Sequence, residues 1–430
     1  MERWAVDRVM ALAPDSASQV AGRKLATPKP WSDIGWAGTL LWGSCQGSGR
    51  TPYQVAIELT GPTYKCSCPS RKFPCKHVLA LLFLWAEGQV AEGGGLSEFA
   101  SEWAAKKQAK ETPTENDEPA EQTPEQRAQA EARAAQRAER VAAGLAELDR
   151  WLADQLTIGL VSTTTGGFQV ADQMAARMVD AQAPGVASRL RELPRTGAGG
   201  FERLLGELAL IRLLITANAA NLAEDQRATV RNHLGYSVPR SVALASPPVS
   251  DHWLVTGMKD ADTDQVSTRR VWLLGRTTGR TALVLSFATA GGTLDNSLLP
   301  GMVVDADLHF YPGRPEVRAT VGERRAELEL GDWRPDGGDV AAARKTWRDT
   351  LTADPWLTEW PIALRGTLHA RPSWTFRDDS GETLAVIGLP DQLRQFLALV
   401  GPAPTLWFGE ISQAGFAPTA VLLGDQVVAG

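Results

Sequence analysis

Near the N-terminus, the apolar positions follow a strand pattern and then a helical one. Residues 36–42 and 53–59 are rich in aromatic and aliphatic side chains, and a polar, glycine-rich segment at 43–52 separates them. This pattern predicts a hairpin, followed by a third short strand at 63–66. The run Val78–Ala86 is apolar throughout, which is typical of a short helix that is buried on every side.

The composition changes between residues 104 and 144. Ala, Glu, Gln, Lys and Arg dominate, the acidic part contains Pro113, Pro119 and Pro124, and no aromatic residue occurs. The first half of this segment is predicted to be a disordered linker. The second half, Glu125–Val141, consists of strong helix formers without an apolar stripe, so it is predicted to be a solvated helix that leads into the next domain.

Two further regions follow the linker. Apolar residues recur at helical spacing from Leu145 to Tyr236, which predicts four to five packed helices. After Pro248 the pattern changes to alternation and short apolar runs between glycine-rich turns, with helical patterns at 340–351 and 391–400. The predicted domains are therefore an N-terminal domain at 1–103, a charged linker and solvated helix at 104–144, a helical region at 145–236 and a β-rich α+β domain at 250–430.

The whole-chain composition is that of a soluble multidomain protein. A chain of 430 residues is expected to form two to four domains. Its longest apolar run has nine residues, against the roughly 20 that a membrane-spanning helix needs. Charged residues interrupt the apolar ones throughout Met1–Ala17, so no secretory signal is predicted. We therefore expect a cytoplasmic protein without a membrane segment.

Four cysteines occur, and three of them lie within ten residues. This clustering argues against a disulfide framework and favours reduced thiolates that bind a metal. Cys66, Cys68, Cys75 and His77 have the spacing C-x-C-x6-C-x-H. Four soft or borderline ligands in so short a segment predict one tetrahedral, structural zinc ion with no open position for a substrate.

The backbone around these residues can be predicted as well. If the chain is extended up to Pro69, Cys66 and Cys68 point to the same face, and the proline favours that conformation. Residues two apart in a helix point in different directions, so Cys75 should lie in the loop and His77 in the first helical turn. The zinc site has two alternatives. The cysteines could be incidental buried residues beside a capping histidine, or two of them could form a redox-active thiol pair, although C-x-C lacks the usual C-x-x-C spacing.

The fourth cysteine, Cys45, lies in the sequence Gly43-Ser44-Cys45-Gln46-Gly47, which matches a nucleophile elbow with cysteine in place of serine. An elbow requires a helix after the strand, whereas the pattern here predicts a second strand. We therefore expect Cys45 to lie in a hairpin turn, as a spare thiol near the zinc.

The hairpin, the cysteine cluster and the apolar helix together resemble the SWIM zinc finger. The resemblance covers Trp36–Ala86, and within it residues 42–49 and 68–77 are similar to bacterial SWIM zinc finger family proteins of comparable length. It implies a ββα-type finger that binds DNA or protein. It also implies partners encoded nearby, MoxR-type AAA+ ATPases and von Willebrand A domain proteins. The expected fold class is multidomain α+β, with an N-terminal ββα zinc finger, a central helical region and a C-terminal β-rich α+β domain.

The finger is locally basic although the chain carries a net charge of −6. No acidic residue occurs between residues 61 and 86, and the basic residues there are Lys65, Arg71, Lys72 and Lys76. One interpretation is a patch that contacts nucleic-acid phosphates, with Phe73 stacking on a base. The other is that these cations offset the negative charge of a zinc ion bound to three thiolates and keep the loop solvated.

No catalytic motif is evident outside the finger. The sequence contains no H-E-x-x-H, P-loop or zinc-deaminase pattern, and the remaining histidines lack metal-binding neighbours. The first hypothesis is therefore a zinc-binding adaptor that contacts nucleic acid or protein. The alternative is an enzyme, a hydrolase or transferase, whose active-site residues are scattered through 250–430.

Overall fold

In the computed structural model, residues 3–429 are described with the exception of 5, 14–15, 48, 50, 60–62, 69, 71–73, 94–96, 104–123, 159–166, 199, 263–265, 290–293, 329, 331–332, 372 and 425. The predicted linker at 104–123 therefore lies outside the described residues. The chain divides into two units. The first comprises 1–120, 259–270 and 286–299, and the second comprises 121–258, 271–285 and 300–430.

The first unit contains a four-stranded antiparallel sheet in the order β1-β2-β3-β4. Two helices precede the sheet, and a third follows it directly. In chain order these elements are α1 (Val6–Ala11), α2 (Ser16–Leu25), β1 (Trp31–Ala37), β2 (Leu40–Cys45), β3 (Tyr53–Glu58), β4 (Thr63–Cys66) and α3 (Lys76–Ala86).

The predicted single strand at 36–42 is wrong, because the chain turns within it. Gly38 has φ +59°, which lets the backbone reverse between β1 and β2. Gly43, which was assigned to a turn, lies inside β2. A Cβ atom there would lie 3.2 Å from the Trp31 side chain and 3.3 Å from that of Leu81. Gly43 is therefore a glycine because of close packing rather than because of a turn.

Helix α3 is the centre of this unit. Every side chain from His77 to Trp85 is buried, so the predicted helix that is buried on every side is confirmed. It packs against the sheet, including Val55 and Ile57, and against α2, where a Cβ on Gly22 would lie 2.7 Å from the Cβ of Leu79. Burying each large apolar side chain stabilises the fold by about 1.5–3 kcal/mol, so α3 holds the ligand-bearing segment firmly.

The second unit begins with a helical bundle, formed by α4 (Pro124–Ile158), α5 (Gly167–Asp180), α6 (Pro184–Ala198), α7 (Phe201–Ala219) and α8 (Glu224–Leu234). Residues at the predicted helical spacing fill its core, among them Leu145, Leu152 and Leu204. The segment predicted as a solvated helix forms the first part of α4, and the side chains at 128–136 are exposed. It is continuous with the first bundle helix, so α4 crosses residue 144 without a break.

Trp356, far along the chain, completes the core of this bundle. Its side chain is 6% exposed and packs among the bundle residues. Its indole Nε1 donates a hydrogen bond to the Leu210 carbonyl at 2.9 Å, and Arg189 donates to the Trp356 carbonyl at 2.7 Å. Two residues earlier, the Asp354 carboxylate accepts from His233 Nε2 at 2.8 Å. The bundle is thus closed by a segment from outside its own sequence range.

The part of the chain that follows α8 is β-rich. A closed barrel has the strand order β5-β6-β7-β9-β8, in which β7 and β9 are parallel. A six-stranded sheet has the order β12-β11-β10-β13-β14-β15. The elements are α9 (Arg240–Leu244), β5 (Val249–Asp262), β6 (Val266–Gly275), β7 (Thr281–Thr289), β8 (Val303–Phe310), β9 (Arg318–Leu328), α10 (Val340–Ala353), β10 (Trp360–His369), β11 (Thr375–Arg377), β12 (Thr383–Ala385), α11 (Pro390–Val400), β13 (Thr405–Ser412), β14 (Gly415–Leu423) and β15 (Gln426–Ala429).

Helices α10 and α11 pack on the six-stranded sheet through Val340, Ala343, Leu393 and Phe396. Across the described part of the chain, no helix combines the length and the apolar character needed to cross a membrane.

Candidate metal centre

Strand β4 and helix α3 bring the four predicted ligands together. Cys66 is the last residue of β4, and Ser67 keeps the chain beside β3, because its N–H donates to the Gln54 carbonyl at 3.0 Å. Cys68 follows directly. Cys75 is the N-cap of α3 with an extended backbone, and His77 lies in the first turn. The predicted positions of Cys75 in the loop and His77 in the helix are confirmed.

The ligand atoms of these residues converge on one point. The three sulfur atoms and a nitrogen of His77 all lie within 4.8 Å of one another. His77 Nδ1 is 3.9 Å from Cys66 Sγ and 4.0 Å from Cys75 Sγ. Around a tetrahedral zinc ion with the usual bond lengths, a sulfur and a nitrogen are about 3.6 Å apart. The two measured sulfur–nitrogen distances therefore need to shorten by only a few tenths of an ångström to match such a site.

The protonation of the three thiols also fits a cation. A hydrogen bond from Cys66 lowers the pKa of Cys75 to about 4, and the N-terminus of α3 favours the same thiolate. The hydrogen bond to Cys75 raises the pKa of Cys66, and burial raises the pKa of Cys68. Without a metal, a proton on Cys66 is therefore shared with the Cys75 thiolate through a hydrogen bond. A zinc ion replaces the thiol protons and supplies the positive charge that three thiolates need.

The ring of Tyr53 packs against the imidazole of His77. Its ring centre lies 4.8 Å from that of His77, with the planes tilted by 35°. A Cβ on Gly47 would lie 2.6 Å from the Tyr53 ring, so a glycine is needed where the connection passes over the tyrosine. Tyr53 thus helps to orient the imidazole. Sequence reasoning missed it, although a glycine facing an aromatic residue across a hairpin is a usable signal.

The basic residues of the finger do not all share one surface. Lys65 directly precedes Cys66 in β4, so its side chain points to the opposite face of the sheet. There its Nζ lies 4.9 Å from the centre of the Phe99 ring. Lys76 is exposed at the start of α3. Arg71, Lys72 and Phe73 lie outside the described residues.

Cys45 is separate from the ligand group. It is the last residue of β2, fully buried, and burial raises the pKa of its thiol. The placement in a turn is therefore wrong, but the predicted second strand does follow as β3, and a nucleophile elbow is excluded because no helix begins there. Within the described residues, the cluster of Cys66, Cys68, Cys75 and His77 is the only one suited to a metal.

A sheet and a buried helix that hold three cysteines and one histidine around a closed tetrahedral site define a structural zinc finger. Residues 53–85 match the SWIM zinc finger, and residues 136–234 match the SWIM-associated four-helix bundle domain. The chain thus contains a SWIM zinc finger and a SWIM-associated four-helix bundle domain, and the finger binds one structural zinc ion, as the sequence predicted. No curated protein and no solved structure matches the chain.

Proposed function

We propose that this protein is an adaptor whose zinc finger contacts nucleic acid or a protein partner. The observation that carries the proposal is the closed donor set. Cys66, Cys68, Cys75 and His77 fill all four positions of a tetrahedral ion, so the zinc has no place for a substrate and serves to shape a surface.

The burial of α3 limits which surface of the finger can contact a nucleic acid or a protein. Zinc fingers that read bases insert their helix into the major groove of DNA. Here the helix is buried from His77 to Trp85 and has no free face to insert. Contact must therefore come from the loop between Cys68 and Cys75 and from the exposed Lys76. Such a surface suits phosphate contacts or a protein partner better than base readout.

We assign the contacts to Arg71, Lys72 and Lys76, with Lys65 as the least suited member of the predicted set. Arg71 and Lys72 belong to the ligand loop by sequence, and Lys76 directly follows the ligand Cys75. Lys65 lies on the opposite face of the sheet, against Phe99. If three residues neutralise phosphates, log affinity should fall with log salt with a slope of about −2.7 on duplex DNA.

The test measures fluorescence anisotropy of labelled duplex and single-stranded DNA and RNA with the full-length, zinc-loaded chain over a salt series. Lys76→Ala should reduce the slope by about one unit, and a variant with both Arg71→Ala and Lys72→Ala by about two. Lys65→Ala is the matched control, since it removes the same charge from the other face. An equal loss in this control would contradict a local contact surface.

A second outcome identifies the partner as a protein. If the zinc-loaded chain binds no nucleic acid even at low salt, a pull-down that requires Arg71 and Lys72 and survives nuclease treatment supports a protein contact. MoxR-type AAA+ ATPases and von Willebrand A domain proteins are the partners to test first, by resemblance. If neither assay responds to these residues, the adaptor proposal fails, and an active site within 250–430 becomes the hypothesis to pursue.

A further inference from the structure

The second unit contains a cavity of about 250 Å³ between the barrel and the six-stranded sheet. Thr256, Thr281 and Leu273 line it from the barrel, and Ala343 and Thr346 line it from α10. The strand β10 forms a third wall with residues 360–363.

This third wall lies at an edge of the sheet. On one side, residues 360–366 of β10 pair with β13. On the other side, β11 pairs with β10 only at 367–369. Among the described residues, the only other pairing there is an isolated bridge from Gly338 to Leu364. The cavity therefore lies along the part of β10 that does not pair with β11, where there is space for a ligand.

The lining has a simple charge pattern. Of the described residues that line the cavity, Asp336 is the only ionisable one, and its side chain is exposed. The hydroxyls of three threonines add further polar groups, and the remaining lining is apolar or aromatic. Among the described lining residues there is no histidine, cysteine or serine, so the chemistry of this lining favours binding over reaction. A carboxylate without a lining cation selects against anions.

The aromatic wall of the cavity is held in place. Trp360 is half-buried and lines the cavity, and its ring centre lies 6.4 Å from that of Trp272. Trp272 in turn donates its indole N–H to Oε1 of Glu410 at 2.6 Å, and Glu410 is only 2% exposed. Because this buried hydrogen bond fixes Trp272, its ring contact limits the movement of Trp360. An indole supported in this way and a carboxylate that line the same cavity are groups that recognise organic cations.

We propose that this cavity binds a small organic cation, such as a quaternary ammonium or a guanidinium group. Asp336 pairs with the positive charge, Trp360 packs against the cationic group, and the threonine hydroxyls contact the remainder of the ligand. The volume lies below the roughly 300–1,000 Å³ of sites for drug-sized molecules, so the ligand is small. This site is independent of the zinc finger and of the function proposed for it.

The test uses saturation-transfer NMR and calorimetry on the full-length chain, with choline and agmatine as cationic probes. The control ligand is 3,3-dimethyl-1-butanol, the neutral isostere of choline. Trp360→Leu should weaken binding of choline by roughly 2- to 30-fold, in line with the range of cation–π interactions. Asp336→Asn should weaken it by about fivefold at low salt, because the carboxylate is exposed.

Matched variants separate binding from damage to the fold. Asp391→Asn removes another exposed carboxylate, at the start of α11, and should leave binding unchanged. Trp360→Phe keeps an aromatic ring and should retain part of the affinity if Trp360→Leu proves unstable. Equal binding of choline and its neutral isostere, failure of both cationic probes to bind, or equal effects of Asp336→Asn and Asp391→Asn would each overturn the proposal.

Discussion

Replacing Trp356 by alanine should loosen the helical bundle although this residue lies more than a hundred positions beyond it. The side chain is 6% exposed, and a buried tryptophan removes about 150–250 Å² from water. At about 25 cal/mol per Å² this corresponds to about 4–6 kcal/mol, to which the hydrogen bond to the Leu210 carbonyl adds about 1 kcal/mol. Partial collapse of the cavity reduces the expected loss to about 3–5 kcal/mol.

The assay is hydrogen exchange read by mass spectrometry on peptides from α6 and α7. A local loss of 3 kcal/mol or more corresponds to exchange that is faster by at least about a hundredfold. Trp356→Phe keeps the aromatic ring but not the indole N–H, so it should show a smaller increase. The hydrogen bond from Arg189 goes to the backbone carbonyl of Trp356 and does not depend on the side chain that is changed.

Trp347→Ala is the matched control for this prediction. Trp347 lies on α10, half-buried, and packs against the core of the six-stranded sheet rather than against the bundle. It should leave α6 and α7 unchanged. The reasoning is refuted if α7 exchanges at the parental rate in Trp356→Ala, or if Trp347→Ala accelerates it to the same extent.

Three further predictions concern the zinc, the pH dependence and two glycines. Elemental analysis should find about one zinc per chain in the parent protein and none in Cys75→Ser. Chelation should unfold the finger, because zinc binding contributes on the order of 10 kcal/mol to its folding. A variant that lacks Cys66 and Cys75 but still binds one zinc per chain would contradict the assigned ligands. Burial opposes ionisation of Asp251, but hydrogen bonds from the loop after β6 outweigh it and lower the pKa of this carboxyl. Asp251 therefore stabilises the folded state above its ordinary pKa of about 3.9, and this contribution is lost as the pH falls further. Denaturation measured between pH 2 and 6 should show a smaller loss of stability in acid for Asp251→Asn than for the parent protein. A Cβ on Gly185 would lie 2.1 Å from the His233 carbonyl oxygen, whereas one on Gly206 meets nothing within 4 Å. Thermal unfolding should therefore show a loss of about 1–3 kcal/mol for Gly185→Ala and a gain of about 0.5–1 kcal/mol for Gly206→Ala.

The elements with a strong local signal were predictable from the sequence. The apolar run of α3, the alternation in β8 and the helical spacing of α10 are each contained in a few consecutive residues. The metal ligands were predictable for the same reason, since their spacing is local and their chemistry is specific. The opposite orientation of Lys65 could also have been predicted, because adjacent residues in a strand point to opposite faces.

The features that depend on distant contacts were not predictable. Closure of the barrel requires the parallel pairing of β7 with β9, which no local pattern specifies. Gly43 was misassigned because its packing against Trp31 and Leu81 is set by the folded unit and not by its neighbours in sequence. Trp356 carries no sign in the sequence that it belongs to the bundle. The cavity at Trp360 likewise exists only where barrel strands, α10 and strands of the six-stranded sheet meet.

The place of Trp356 in the chain affects the order in which the protein can fold during synthesis. The last bundle helix ends at Leu234, and Trp356 is made 122 residues later. At about 5–20 residues per second, the ribosome needs roughly 6–25 s to cover that distance. During this interval the bundle helices have left the ribosome without the side chain that closes their core, and their apolar surface is available to chaperones.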